Sequence, residues 1–225
     1  MKIVLFPYHP FLIEEHGLTV FDFSNPKQYT QFINSLAFGD EGLVVSINDK
    51  IVSSDRAIDW IGEPFADALQ QNLSKRLVKF VATQLQNSDQ ISLLEEFRQL
   101  QNHLQQLMTA NGWPFMVDST VDVPAIVKTI GPQPPPIPIT EVYDNIVLCC
   151  KTRQIMSLNN PCVCLNVSHY LTIKELAELE ETSRQYNAAI IVGEFSSVRR
   201  EHLFENSRYY FIDDDFVDWR YSPHE

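Results

Sequence analysis

The stretch Pro161-Cys-Val-Cys-Leu-Asn-Val-Ser-His-Tyr-Leu-Thr172, continued by Ile-Lys-Glu-Leu-Ala-Glu-Leu-Glu180 and then by Asn187-Ala-Ala-Ile-Ile-Val-Gly193, decides the fold class. Thr172 and Glu175 have the spacing of a helix capping box, and leucines at helical spacing follow them. The two flanking runs are almost continuously apolar, which is typical of parallel strands covered by helices on both faces. The stretch therefore predicts a βαβ unit, in which a crossover helix joins two parallel strands.

The first seventy residues predict an α/β beginning. Strands are expected at residues 2–6, 18–22 and 42–48, and a helix at 26–38, where Pro26 suits the first helical position. Asn48-Asp49 predicts a turn into a further short strand at 50–53. We interpret these elements as the edge of a mixed sheet with one helix.

The middle of the chain changes to a helical period at about residue 72. Two amphipathic helices are predicted, with a break at residues 87–89 that supplies a new N-cap. Asn111-Gly112 is a typical helix end. The pattern indicates a helical hairpin or a bent helical arm.

A proline-rich segment, Gly131-Pro-Gln-Pro-Pro-Pro-Ile-Pro-Ile-Thr140, follows and is incompatible with a helix. We interpret it as a stiff connector, a ligand for an SH3-type domain being the alternative for its core at 132–138. Thr140 then caps a helix predicted at 141–157. The predicted architecture is an α/β head domain, residues 1–70 and 141–225, with an α-helical domain inserted at 71–140.

The chain has 225 residues and a net charge of −12. Residues 71–153 carry seven basic and seven acidic side chains, so the excess of acid lies in the flanks. The four cysteines, Cys149-Cys150 and Cys162-x-Cys164, lack the spacing of zinc or redox motifs and predict buried, reduced thiols. No signal peptide and no membrane-spanning stretch are expected, which favours a cytoplasmic protein.

Motifs for nucleotide and nucleophilic chemistry are missing from the sequence. There is no G-x-x-x-x-G-K-[ST], G-x-G-x-x-G, HExxH or G-x-S-x-G, so neither an enzyme nor a nucleotide cofactor is expected. An enzyme remains the rival hypothesis: a metal-dependent nuclease or phosphotransferase that uses the aspartates at 213–215 or His169.

Two further runs, Cys164-Leu-Asn-Val-Ser-His-Tyr-Leu-Thr-Ile-Lys-Glu-Leu176 and Tyr209-Tyr-Phe-Ile-Asp-Asp-Asp-Phe216, carry a family resemblance. Together with chain length and the order of the N-terminal elements, they resemble the short Csn-two family of type II-A CRISPR loci. That resemblance implies an NTPase-like head without Walker motifs and a noncatalytic role in spacer acquisition for antiviral defence. It also implies a homotetrameric ring whose positive channel holds the ends of linear duplex DNA, with the CRISPR integrase and the type II Cas nuclease as partners.

Candidate site residues follow from this resemblance. Six basic residues are candidate DNA contacts, an ordinary solvated surface being the alternative: Lys75, Arg76, Lys79, Lys128, Lys151 and Arg153. The family's calcium binding points to Asp118 and Asp122, which would share one face if their segment were helical. A scaffold or regulatory protein that does not bind DNA is a third hypothesis, consistent with the acidic total.

Overall fold

The protein is described by a computed structural model over residues 1–39, 42–118, 120–134 and 141–223, with only the backbone of Lys75. The chain forms two compact units, Met1–Asn72 with Pro136–Glu225 and Leu73–Pro135. The sequence predicted the corresponding boundaries at residues 70 and 141. The strands and helices are, in chain order, β1 (Lys2–Leu5), β2 (Phe11–Leu12), β3 (Gly17–Phe23), α1 (Pro26–Phe38), β4 (Leu43–Ile47), β5 (Lys50–Val52), α2 (Ser54–Ala57), β6 (Asp59–Gly62), α3 (Ala66–Gln84), α4 (Asn87–Ala110), α5 (Val123–Ile130), α6 (Val142–Ile155), β7 (Cys162–Leu165), α7 (Ile173–Gln185), β8 (Ala189–Phe195), β9 (Arg208–Ile212) and β10 (Asp218–Tyr221).

The predicted βαβ unit is confirmed. β7 and β8 are parallel neighbours, with Cys162 opposite Ile190, and α7 is the crossover helix between them. The Thr172 hydroxyl accepts the backbone N–H of Glu175, while the Glu175 carboxylate accepts the backbone N–H of Thr172. This reciprocal pair satisfies two donors that would otherwise lack partners at the helix N-terminus, and therefore fixes where α7 begins.

The first unit contains two sheets, and the expectation of one mixed sheet edge was wrong. A six-stranded sheet has the order β10-β9-β3-β8-β7-β6, and a four-stranded antiparallel sheet has the order β2-β1-β4-β5. β3 is buried along its whole length, as a central strand covered on both faces must be, and runs parallel to β8 and β9. β1 alternates buried and more exposed residues, which suits an antiparallel sheet covered on one face. The α/β fold class with an additional helical portion is confirmed.

An aromatic cluster lies between the two sheets and α1. The ring of Phe21 is 4.8 Å from Phe32, 5.3 Å from Phe11 and 5.2 Å from Tyr210, measured between centroids. Such pairs add about 0.5–1.5 kcal/mol each to the burial of their area. The cluster packs β3 of the six-stranded sheet against α1 and against the four-stranded sheet. It therefore helps to position the strand ends described below.

Several helix ends differ from the sequence prediction. α3 begins at Ala66, six residues before the predicted change of period, because Ala66 and Leu69 are already buried at helical spacing. The N-cap of α4 is Gln86 and not a residue within 87–89, whereas its C-terminal end at Asn111-Gly112 is confirmed. α6 has Glu141 as its N-cap residue, and Thr140, the predicted capping residue, lies outside the described residues. Residues 135–140 of the proline-rich segment lie outside the described residues.

The four cysteines are free and buried, as predicted. Among the described residues, no helix is both long enough and apolar enough to cross a membrane.

Candidate nucleic-acid interface and the carboxyl edge of the parallel sheet

Two buried carboxylates lie at the carboxyl ends of the central parallel strands. Asp22 is near the end of β3 and Glu194 is near the end of β8, and both side chains have no exposed surface. This edge is where open α/β sheets ordinarily bind their ligands. The surroundings of these two carboxylates therefore decide what the edge can bind.

Arg200, from the loop after β8, lies between the two carboxylates. Its Nε is 3.1 Å from Asp22 Oδ2, and its Nη2 is 3.2 Å from Glu194 Oε2. Its Nη1 donates to Ser168 Oγ at 3.0 Å, and Ser168 donates in turn to Glu194 Oε2 at 2.6 Å. One cation thus serves two buried anions, and the cluster carries a net negative charge when both are ionised.

The surroundings of Asp22 raise the pKa of its carboxyl group. Tyr209 donates its hydroxyl to Asp22 Oδ2 at 2.9 Å, but Oδ1 is buried with no hydrogen-bond partner in the structure. Burial, with a smaller contribution from the charge of Glu194, raises the pKa of Asp22 from 3.8 to about 6 against the opposing effects of Arg200 and Tyr209. The carboxyl group therefore takes up a proton in mildly acidic solution.

A second hydrogen-bond network continues along the same edge. Asn166, which follows β7 in a left-handed conformation with φ 52°, donates to Glu63 Oε1 at 2.9 Å and accepts from the Tyr29 hydroxyl at 2.9 Å. Tyr170 donates to Glu63 Oε2 at 2.6 Å, and this hydrogen bond raises the pKa of Tyr170 to about 12. His169 follows in a 3₁₀ turn, where its ring contacts Tyr170. A phosphate site in an α/β protein presents N–H donors at these strand ends. In this protein the strand ends carry carboxylates instead, and these carboxylates accept hydrogen bonds from neighbouring side chains.

Arg153 does not belong to a DNA surface, so its prediction as a phosphate contact was wrong. The side chain is only 2% exposed, and its Nη1 lies 2.8 Å from Asp59 Oδ2 on β6. Its Nη2 also donates to the backbone carbonyl of Asn160. A guanidinium used in this way joins α6 to the parallel sheet and cannot reach a phosphate.

The other predicted basic residues divide between the two units. Lys151 on α6 is exposed, with its Nζ 5.7 Å from the centre of the Tyr186 ring. Lys79 on α3 and Lys128 in the last turn of α5 are exposed and belong to the second unit. Arg76 on α3 is half-buried, and the side chain of Lys75 lies outside the described part of the chain. The exposed lysines remain available to a polyanion.

Asp118 and Asp122 do not share a helix face, because Asp118 lies outside any helix and Asp122 is the N-cap residue of α5. Asp118 accepts the backbone N–H and the hydroxyl of Thr120, which lowers the pKa of its carboxyl group. Asp122 caps α5 by accepting the backbone N–H of Ala125 at 2.9 Å. Calcium needs about six to eight oxygen ligands, and two carboxylates already engaged in local turns do not fit that requirement. The described residues contain no group of three or more His, Cys, Asp or Glu side chains that could hold a metal.

The aspartate run at 213–215 forms the hairpin turn between β9 and β10. Asp213 Oδ1 accepts the backbone N–H groups of Asp215 and Val217 at 3.0 and 2.9 Å, and Oδ2 accepts Trp219 Nε1 at 3.0 Å. Both oxygens of Asp213 therefore stabilise the turn, which argues against a metal-binding role for this carboxylate.

The long helix of the second unit has an apolar face that remains largely open to solvent. No residue of the 24-residue α4 is buried, and Leu100, Leu104 and Leu107 are 63%, 49% and 49% exposed. The chain after α4 returns beside it, held by Gln105, which donates to the carbonyl of Phe115 and accepts the N–H of Val117. Sequence periodicity predicted an apolar face, but only the structure shows that so little of the described chain covers it.

Comparison with known proteins supports the fold only. No protein-family model and no curated protein matches the chain. Among solved structures, the crystal structure of Stu0660 of Streptococcus thermophilus superposes with a TM-score of 0.64 at 15% sequence identity. The match covers 99% of this chain and 77% of Stu0660, so the two proteins share an architecture along the whole described chain.

Proposed function

We propose that the protein is a noncatalytic member of the Csn-two group that binds the ends of linear duplex DNA during CRISPR spacer acquisition, as a homotetramer with the integrase and the type II Cas nuclease as partners. The proposal rests on the sequence resemblance over residues 164–176 and 209–216. The fold shared with Stu0660 along 99% of the chain is compatible with it.

The carboxyl edge of the parallel sheet is the observation that carries the noncatalytic part of the proposal. Nucleotide-hydrolysing α/β proteins hold phosphates there with backbone N–H groups and a lysine. Here Asp22 and Glu194 are buried at that edge and share Arg200. An incoming phosphate would meet two buried carboxylates that already share the guanidinium of Arg200.

The charge distribution favours the second unit as the DNA-binding part of the protein. Its basic and acidic residues are equal in number, namely Lys75, Arg76, Lys79, Arg98 and Lys128 against Asp89, Glu95, Glu96, Asp118 and Asp122. The net charge of −12 therefore lies entirely in the first unit. Binding through phosphates alone requires exposed lysines in a part of the chain without excess acid, and Lys79 and Lys128 belong to this balanced unit.

The uncovered face of α4 supports assembly. Exposed leucines on a helix with no buried residue are unusual for a surface that stays in water. A homo-oligomer that covers this face would bury its apolar area.

The test compares linear and covalently closed circular duplexes of the same sequence by fluorescence anisotropy at low salt. End binding predicts retention of the linear form and little retention of the circle, with affinity falling as salt rises because counterions are released. Lys79→Glu with Lys128→Glu should weaken binding and flatten the salt dependence. Lys174→Glu is the matched control, since Lys174 is a lysine of the first unit that is 86% exposed and lies 3.2 Å from Glu178.

Two results would contradict the proposal. Equal binding of both DNA forms would rule out recognition of ends. Cleavage of either DNA in magnesium or manganese that disappears on Asp214→Ala would favour a nuclease instead.

A further inference from the structure

The amino-terminal edge of the parallel sheet contains a cavity of about 260 Å³. Its walls come from the segments that precede three adjacent strands, β3, β8 and β7, and from β4, α2 and the start of the chain. All of its lining residues belong to the first unit. The cavity thus occupies the edge opposite the ionic cluster of Asp22, Glu194 and Arg200.

The floor of the cavity is apolar. Ile13, Ala57 and Ala189 are buried there, and Met1, Ile47 and Pro161 complete the apolar lining. Its volume lies just below the roughly 300–1,000 Å³ that is usual for drug-sized ligands. The occupant that fits is therefore small and has an apolar body.

Charge at the cavity selects against anions. Glu14 and Glu15 both line it, and Glu14 is partly neutralised by Arg208, whose Nε is 2.8 Å from its Oε1. The unit around the cavity carries the net negative charge of the protein. A phosphate group would be repelled, so an uncharged ligand is favoured over its phosphorylated form.

Three asparagines share the polar part of the lining with Glu14, Glu15 and His16. Asn159, Asn160 and Asn187 come from two neighbouring loops, before β7 and before β8. Asn160 Nδ2 already donates to the backbone carbonyl of Arg56 at 2.9 Å, so the proposal relies on the amides of Asn159 and Asn187. An amide presents a donor and an acceptor side by side, the arrangement that pairs with the edge of a nucleobase. A ligand with a flat apolar ring and polar groups at the ring edge would suit both the apolar walls and the amides.

We propose that this cavity binds an uncharged heteroaromatic molecule of nucleobase or nucleoside size. The proposal goes beyond DNA-end binding and does not depend on it, because the cavity involves none of the lysines assigned to DNA. Adenosine is the probe, with adenosine monophosphate and ribose as comparisons that add a charge or remove the ring.

The experiment measures thermal unfolding and ligand-detected NMR of the full chain with each probe at millimolar concentration. Adenosine is expected to raise the unfolding midpoint with increasing concentration and to show saturation transfer. Adenosine monophosphate should bind at least about fivefold more weakly at low salt, and this difference should shrink as salt screens the glutamates. Ribose should give neither effect.

Two variants locate the site. Ala189→Val should abolish adenosine binding because it fills the buried floor. Asn187→Gly removes an amide at a left-handed position, φ 51°, which glycine adopts without strain, and should weaken binding roughly fivefold. Asn48→Gly is the matched control, since Asn48 has the same φ of 51° and does not line the cavity.

Three outcomes would overturn the proposal. These are the absence of any adenosine effect on the wild-type protein, tighter binding of the monophosphate than of adenosine, and equal loss in Asn187→Gly and Asn48→Gly. If Ala189→Val does not fold, the comparison of the two asparagine variants decides the question.

Discussion

Replacement of Arg153 by methionine separates a structural role from DNA binding. Methionine keeps much of the aliphatic volume but removes the guanidinium, so the Asp59 carboxylate, 1% exposed, loses the cation 2.8 Å away. Breaking a buried ion pair from one side costs about 3–5 kcal/mol, and the Asn160 carbonyl loses a donor as well. That is a large share of the roughly 5–15 kcal/mol by which proteins are usually stable.

Urea unfolding followed by tryptophan fluorescence measures this cost, since Trp60 is adjacent to Asp59 on β6. With a slope of about 2–3 kcal/mol per molar urea, the midpoint should fall by roughly 1–2.5 M. Lys151→Met on the same helix is the control and should change stability by less than about 1 kcal/mol, because Lys151 is exposed.

The double variant Arg153→Met with Asp59→Leu sharpens the test. Apolar replacement of both partners of a buried ion pair is often neutral or stabilising, so most of the lost stability should return. DNA retention per folded molecule should stay at the wild-type level in both variants that lack Arg153. A loss of DNA retention with little change in stability would refute the reasoning and restore Arg153 as a DNA contact.

Two further predictions concern the ionic cluster and α4. Because the pKa of Asp22 is raised to about 6, the folded state binds a proton that the unfolded state releases, and the stabilisation is lost as pH rises through 6. The stability of the wild type relative to Asp22→Asn should therefore fall by about 2 kcal/mol between pH 4.5 and 7.5 in urea titrations, and a rise would contradict the burial argument. Leu104→Glu should dissociate the proposed oligomer, measured as a lower mass in light scattering, and should leave the circular dichroism of the chain unchanged, because Leu104 is 49% exposed. Unchanged mass would exclude this face from assembly.

Local signals in the sequence predicted the elements that depend on local contacts. The capping box of Thr172 and Glu175 fixed the start of α7, and the asparagine side chain before Pro26 fixed the start of α1. Strand partners were less predictable, since β1 and β3 have similar apolar content but belong to different sheets. Register between distant strands depends on tertiary packing, which no short window contains.

The pairs of charged side chains at the candidate site could not be predicted from sequence either. Arg153 lies 94 residues from Asp59 in the chain, and nothing around either residue indicates that they pair. The cluster of Asp22, Glu194 and Arg200 is likewise assembled from three separate segments. A single acidic residue inside an apolar strand was the available signal, as for Asp22 within Leu18 to Phe23 and Glu194 within Ala189 to Phe195, since a buried charge requires a partner.

The shared Arg200 has a consequence for protein engineering. Grafting a glycine-rich phosphate loop onto the turn after β3 would leave Asp22 and Glu194 in place behind it. Removing either carboxylate alone alters the charge balance of the other through their common arginine. Nucleotide binding could therefore be installed only by replacing all three residues together, which makes this edge resistant to stepwise redesign.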